Sequence, residues 1–246
     1  MAIRNKIGLH VDACLGGYVL PFIRMAGYEV PDNDFSVPGV TSISCDVHKY
    51  GCTPKGISTL LWKNQEMRKY QYFVAAEWTG GIYATPTLTG SKNGSISAAA
   101  WGIMLSYGKE GYTENARRIR EAVDKVKEGI NRLPKIFVQG NPLINVVAFG
   151  SDELSVYTIY DALCEKGWHV IAMQKPPSVH ICVTTANCHR VEEYVSDIEN
   201  AVREEIANPS KKAGGAVALY GVADRCPDER MIGDMCAWYL DCLYEA

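Results

Sequence analysis

No apolar run approaches the ~18 residues that a membrane-spanning helix needs, so this chain of 246 residues carries no candidate span. A dominant charge is missing too. The net charge is −3, and no cluster of Lys and Arg is long enough to form a stripe, which removes the electrostatic case for nucleic acid. The nine cysteines include no Cys-x-x-Cys pair, and neither they nor the five histidines approach metal-ligand spacing, so no zinc site is expected. Several cysteines lie in apolar runs (Ser44-Cys45, Ile181-Cys182-Val183), as reduced, packed thiols do. Those thiols argue against secretion, and the sequon Asn93-Gly94-Ser95 is of a kind common by chance. Internal repeats and low-complexity segments are absent. So is a signal peptide: a strand-like Ile7–Val11 follows Met1 almost at once. So abrupt an opening is expected of a piece of something longer.

What is present is a core-forming composition, 47% hydrophobic, enough for one large domain or two small ones. Up to about residue 92, short apolar runs (Ile7–Val11, Val40–Cys45, Ile57–Trp62) alternate with Gly- and Pro-rich turns. A partly helical Leu15–Ala26 lies between the first two, and this alternation predicts an α/β sheet. Residues 74–94, rich in Gly, Thr and Ser, read as an extended loop. Helical periodicity follows in Ser97–Leu105 and Tyr112–Leu133, with Ile119, Val123, Val126 and Ile130 on one face.

Residues 134–208 predict a second α/β layer with an antiparallel sheet: strands at 135–139, 143–149, 168–173 and 179–184, and helices at 155–166 and 190–206. Gly167 stands where a helix C-cap belongs, and Pro176-Pro177 separates the last two strands. A Lys-Lys-Ala-Gly-Gly linker leads to a closing helix around Met231, Met235, Trp238, Tyr239 and Leu243. The organisation expected is 1–110 as part of a larger domain, 111–133 as a connecting helix, and 134–246 as a small α/β domain with a helical tail.

Chemistry concentrates in Asp46-Val-His-Lys-Tyr-Gly-Cys-Thr-Pro-Lys-Gly56, between two strand-like runs. A lysine near a strand end is usually a solvated guard of that edge. A lysine lodged between two strands, with a second lysine six positions on, also suits an amine that must reach a buried electrophile, as in pyridoxal 5'-phosphate (PLP) enzymes. PLP chemistry further needs an ionised acid beside the pyridine nitrogen. Asp12, closing His10-Val11-Asp12, fits that role, and Ala13 and Gly16-Gly17 after it would let a cofactor approach closely. A helix N-cap is the alternative for Asp12. The spacing from Asp12 to Lys49 accommodates one crossover helix and a return strand, so both can face one crevice at adjacent strand ends. His48 reads either as a hydrogen-bonded core histidine or as an anion contact or proton carrier.

Three motifs carry a resemblance: His10-Val-Asp-Ala-Cys-Leu-Gly-Gly17; Asp46-Val-His-Lys-Tyr-Gly51 with Pro54-Lys-Gly56; and Gly80-Gly-Ile-Tyr-Ala-Thr-Pro86 with Thr89-Gly-Ser91. In order and spacing they closely resemble the sphingosine-1-phosphate lyases, within the PLP decarboxylase group. Further similarity runs through Phe137–Pro142, Lys166–Trp168, Gln174–His180 and Leu219–Gly221, so nearly the whole chain is covered. The resemblance implies a fold-type I PLP-dependent enzyme of α/β class, with a partial large-domain sheet and a C-terminal α/β small domain, acting as a homodimer. It makes Lys49 the Schiff-base lysine, Asp12 the partner of the pyridine nitrogen and His48 a neighbour of the cofactor. Lys55 resembles a second active-site lysine that assists catalysis or binds phosphate. Gly90 and Ser91 resemble a loop reaching the cofactor phosphate of the other subunit, and Tyr83 a substrate-phosphate contact or a tyrosine packed at the subunit interface.

Two positions depart from the pattern. Lys92 stands where arginine is common, losing the guanidinium fork, and Cys52 where tyrosine is common. The implied reaction is retro-aldol cleavage of a phosphorylated long-chain (sphingoid) base to a fatty aldehyde and phosphoethanolamine. An imine-forming lysine needs its pKa lowered from about 10.4, and Lys55 and His48 are the sequence-near cations for that. In this fold the phosphate loop and ring-stacking residue precede the Asp12 strand, as would any endoplasmic-reticulum anchor of a eukaryotic lyase, so the chain alone is expected to be inactive and cytoplasm-facing. The alternatives are a PLP-dependent amino-acid decarboxylase and a non-catalytic fragment.

Overall fold

The computed structural model describes residues 1–209 and 228–245, and the chain divides into two units, Met1–Arg118 and Ile119–Ala246. In the first unit, one helical turn (α1, Ala2–Asn5) precedes strand β1 (Leu9–Asp12). A 3-10 turn at Gly16–Tyr18 and helix α2 (Leu20–Met25) then carry the chain over to β2 (Val40–Cys45). β2 lies parallel to β1 and antiparallel to β3 (Thr59–Trp62), in the order β1-β2-β3. A crossover between parallel strands places both strands' C-terminal ends on one side. Helix α3 (Gln65–Arg68), capped by Asn64, leads to a two-stranded hairpin of β4 (Phe73–Ala75) and β5 (Tyr83–Thr85). This hairpin lies inside the stretch read from sequence as extended loop. Its strands are three residues long and exposed at two of three positions, too short for an alternation to register.

Polar and apolar residues alternate on β1, while β2 carries Thr41 and Ser42 in succession before Ile43 and Ser44. His10 and Asp12 share one face with Ser42 and Ser44, their register partners. Ala13, Val40 and Ile43 form a buried cluster with Val11, Phe35 and Val37 packed against it. Two glycines are dictated by close approach. A Cβ on Gly17 would collide with the Cys45 thiol, and one on Gly51 with the Val47 carbonyl. Gly17 therefore serves the packing of the turn on β2. Tyr112 stacks on Phe22 and Tyr107 and donates to the Gly51 carbonyl at 2.9 Å, pinning the loop that follows β2.

Helix α4 (Gly94–Arg132) is interrupted at Gly108, where φ is 57°. The break falls between the two helical runs that periodicity picked out. Its second half opens the second unit, with Ile119, Val123, Val126 and Ile130 all buried, the stripe expected of an amphipathic helix. The sheet of this unit is antiparallel in the order β6-β7-β9-β8, formed by β6 (Phe137–Val138), β7 (Val146–Gly150), β8 (Val170–Met173) and β9 (Ser178–Cys182). Helices α5 (Val156–Glu165, capped by Ser155) and α6 (Val191–Ala207) bury Ile159, Leu163, Tyr194 and Ile198. Gly167 takes φ 83° just past the α5 cap, as the sequence suggested. The closing helix α7 (Glu229–Cys242) begins at an Asp228 cap. The Lys-Lys-Ala-Gly-Gly linker and Leu219–Gly221 lie outside the described residues. No helix among the described residues is long and apolar enough to cross a membrane.

Candidate active site

Asp12 ends β1, and its side chain does not cap a helix. Oδ1 accepts the Cys14 N–H at 3.0 Å and the Ser44 hydroxyl at 3.2 Å from the neighbouring strand. Those bonds, with the Cys14 thiol against the same carboxylate, hold its pKa below the usual carboxylate range, so Asp12 is ionised at neutral pH. Behind Ser44 stands His10, whose Nε2 lies 3.1 Å from Ser44 Oγ and whose Nδ1 lies 2.9 Å from Ser42 Oγ.

Lys49 sits in the turn after β2, half-buried. Its ammonium pairs with Asp46 Oδ2 at 2.8 Å and reaches the Cys14 side chain. Cys14 is thus the piece that touches both Asp12 and Lys49, and its carbonyl accepts the Asp46 N–H at 3.4 Å. The hydrogen bond to Asp46 raises the Lys49 pKa above its ordinary value, against the opposing effect of burial. The sequence led us to expect a lysine depressed by neighbouring cations, but a carboxylate three residues upstream dominates. Asp46 in turn is held low by the Lys49 and Ser58 side chains. Burial, with Asp46 and Cys14 nearby, pushes the Cys45 thiol up to about 11.

His48 has a fixed orientation. Its Nδ1 lies 2.5 Å from the Ile57 carbonyl, which also accepts the His48 N–H at 3.2 Å. A carbonyl only accepts, so Nδ1 carries hydrogen, and in the neutral ring Nε2 is an acceptor. That nitrogen lies 4.0 Å from Asp46 Oδ2.

The other expected residues are not drawn into this cluster. Lys55 is exposed at the tip of the 48–57 loop, beside Gly56 at φ 102°. Among the described residues no hydrogen bond or ion pair joins it to Lys49, His48 or Asp12. Tyr83 packs on Phe73 and Trp78. Its hydroxyl lies 3.4 Å from where a Cβ on Gly90 would stand, Gly90 has φ 63°, and Ser91 is exposed. Tyr83 on β5, with Gly90 and Ser91 after it, therefore forms a separate group. Sequence reasoning passed over Ser44, Asp46 and Cys14. Asp46 could have been found from its i,i+3 spacing to Lys49, whereas Ser44 shows only through its register with Asp12.

A carboxylate offers about four lone-pair sites, and the Cys14 N–H and the Ser44 hydroxyl both bond to Oδ1 of Asp12. Acceptor capacity remains on this exposed, ionised group at the end of a parallel strand, and an amine stands in the turn after the next strand. Residues 1–151 match the pyridoxal-dependent decarboxylase conserved domain. The chain belongs to the pyridoxal-dependent decarboxylase family. This decarboxylase-family chain is 45% identical to a sphingosine-1-phosphate lyase of Arabidopsis thaliana over 244 residues, 99% of this chain and 45% of that one. It is 39% identical to sphingosine-1-phosphate lyase 1 of Mus musculus, across 99% of this chain and 44% of that one. Among solved structures it superposes on the sphingosine-1-phosphate lyase of Burkholderia pseudomallei with TM-score 0.78 and 39% identity, covering 82% of this chain and 46% of that one. Glutamate decarboxylase of Lactobacillus brevis shares the fold at TM-score 0.66 and 21% identity, over 82% of this chain and 49% of that one. The architecture is the α/β fold-type I of PLP-dependent enzymes. The chain spans less than half the length of the curated relatives it matches.

Proposed function

We propose that this chain supplies the lysine and aspartate of a PLP site in a C–C lyase acting on a phosphorylated long-chain base, releasing a fatty aldehyde and phosphoethanolamine. The observation that carries the proposal is the Asp12–Cys14–Lys49 cluster at adjacent parallel strand ends, in a chain 39–45% identical to sphingosine-1-phosphate lyases. The cofactor, when bound, supplies an aldehyde for an amine and a protonated ring that accepts electrons from the bond being broken.

The residues fit that group. Asp12, ionised and with acceptor capacity left on its carboxylate, would hold the proton on the pyridine nitrogen. Lys49 Nζ is the nucleophile for the aldehyde, and it must first lose a proton. Asp46 Oδ2, 2.8 Å away, accepts a hydrogen bond from that ammonium, and His48 Nε2, an acceptor 4.0 Å from Asp46, is a nearby base beyond hydrogen-bond distance in this arrangement. Lys55, Tyr83, Gly90 and Ser91 are proposed for phosphate groups, the last three from a neighbouring copy in a homodimer. Their separation from the Lys49 cluster supports a contribution from outside it.

Incubation of the full chain with PLP followed by borohydride should fix the cofactor irreversibly on the Lys49 peptide, and Lys49→Ala should abolish that label. A reduced label retained in Lys49→Ala would show that another amine is used. Where turnover is found, aldehyde and phosphoethanolamine support the lyase. Carbon dioxide from an amino acid would support the second reading, a decarboxylase, the activity named in the description of the matched domain.

A further inference from the structure

The hydrogen bonds behind Asp12 form a chain whose direction follows from counting protons. Ser44 has one hydroxyl hydrogen, and it goes to Asp12 Oδ1 at 3.2 Å. Ser44 Oγ can therefore only accept from His10 Nε2, 3.1 Å away, so Nε2 carries a hydrogen. In the neutral ring Nδ1 is then an acceptor and takes the Ser42 hydroxyl at 2.9 Å. The order reads Ser42 O–H to His10 Nδ1, His10 Nε2–H to Ser44 Oγ, Ser44 O–H to Asp12 Oδ1.

We infer that His10 is a positioning residue for Asp12: acting through Ser44, it fixes the orientation of the carboxylate and helps keep it ionised.

Three observations converge on this. The register pairs His10 with Ser42 and Asp12 with Ser44, so the four side chains stand in two facing rows on one side of two strands. A hydroxyl that accepts from N–H becomes a better donor, because hydrogen bonds in series polarise one another. Finally, protonation of His10 would leave the Ser44 end unchanged, since Nε2–H donates in both states and only the bond to Ser42 reverses. The orientation of Asp12 is thus insulated from the titration of the histidine, while a positive ring would further favour the carboxylate. The titratable groups around Asp12 are His10 on β1 and Cys14 in the following turn. Beyond Cys14 come Lys49 paired with Asp46, and Cys45 at the end of β2. β1 is an edge strand, and its hydrogen-bonded neighbour among the described residues is β2.

The inference uses the proposed role of Asp12 only for its purpose, and its test needs no cofactor. Long-range proton–nitrogen correlation spectra of the full chain, recorded where the imidazole is neutral, read the His10 tautomer directly. Hydrogen on Nε2 is expected, and hydrogen on Nδ1 would overturn the relay. The carboxyl carbon of Asp12, followed through its acid titration, should move its midpoint up by about half a pH unit in His10→Phe and in Ser44→Ala. His10→Gln, whose amide can supply the N–H, should stay near the parent. An unchanged midpoint in both the Phe and Ala variants would also overturn the inference. If either variant fails to fold, the tautomer in the unsubstituted chain decides. An Nε2–H tautomer in a chain that shows no absorbance change on adding PLP would uphold the relay and count against PLP binding by this chain alone.

Discussion

At Lys49 the sequence and the structure part company in an instructive way. A lone lysine motif suggests an amine made nucleophilic by neighbouring positive charge, yet the nearest charge in space is Asp46, 2.8 Å away. Asp46→Asn removes the main cause of the raised Lys49 pKa, so the amine should titrate lower, by about half a unit to one unit. Competitive labelling of Lys49 with an amine-reactive reagent across pH reads this midpoint, and an unmoved midpoint would discard Asp46 as the controlling group. The pair also sets a pH window for stability. Asp46 is depressed from 3.8, so its contribution is present above that value and is lost as pH falls through the folded value. Lys49 is raised from 10.5, so its contribution is full below that value and is lost as pH rises through the folded one. The residues at the centre, Asp12 and Lys49, were legible because their types are chemically demanding. Ser44 and Cys14 were not, since a serine and a cysteine become informative only once the parallel register puts them against a carboxylate and an amine.

Among the elements, regular periodicity was readable and short or strained pieces were not. Strand β2 coincides with the run Val40–Cys45, whose ends are marked by Gly39 and Asp46. The β4–β5 hairpin escaped notice because three-residue strands give no period. α4 was read as two helical runs, and Gly108 is the physical reason: its left-handed φ breaks one helix direction from the next. The same contrast governs stability. Ile198 lies on α6, which packs on α5, and is fully buried, so Ile198→Ala should cost about 2–5 kcal/mol in urea unfolding. Arg203, on the same helix, pairs with Glu199 at 2.7 Å but is mostly exposed. Arg203→Ala should therefore change stability by less than about 0.5 kcal/mol. A similar loss from both variants would mean that the helix is held by its surface pairs and not by its apolar stripe.

For the whole molecule, the distribution of exposed apolar surface matters more than the net charge. In the first unit Leu60 and Leu61, consecutive on β3, are 44% and 48% exposed, so neither face of that strand is well covered. β3 is also an edge strand, with unpaired backbone groups along its free side. The same unit exposes Phe73, Val74, Trp78, Ile82 and Leu88 on and around the β4–β5 hairpin. Natural proteins usually protect such edges with charge, a bulge or a covering element, and apolar patches of this kind mark surfaces that meet another chain. A net charge of −3 spread over 246 residues opposes association only weakly. The chain should therefore self-associate as concentration rises and bind an apolar dye such as anilinonaphthalene sulfonate. Leu60→Lys with Leu61→Lys places two charges on the open edge without touching Asp12 or Lys49, and should reduce both effects. Sedimentation velocity on the two proteins separates the outcomes. A parent chain that stays monomeric at all concentrations, or a doubly substituted chain that associates as strongly as the parent, would show that the β3 edge is not the surface through which copies meet.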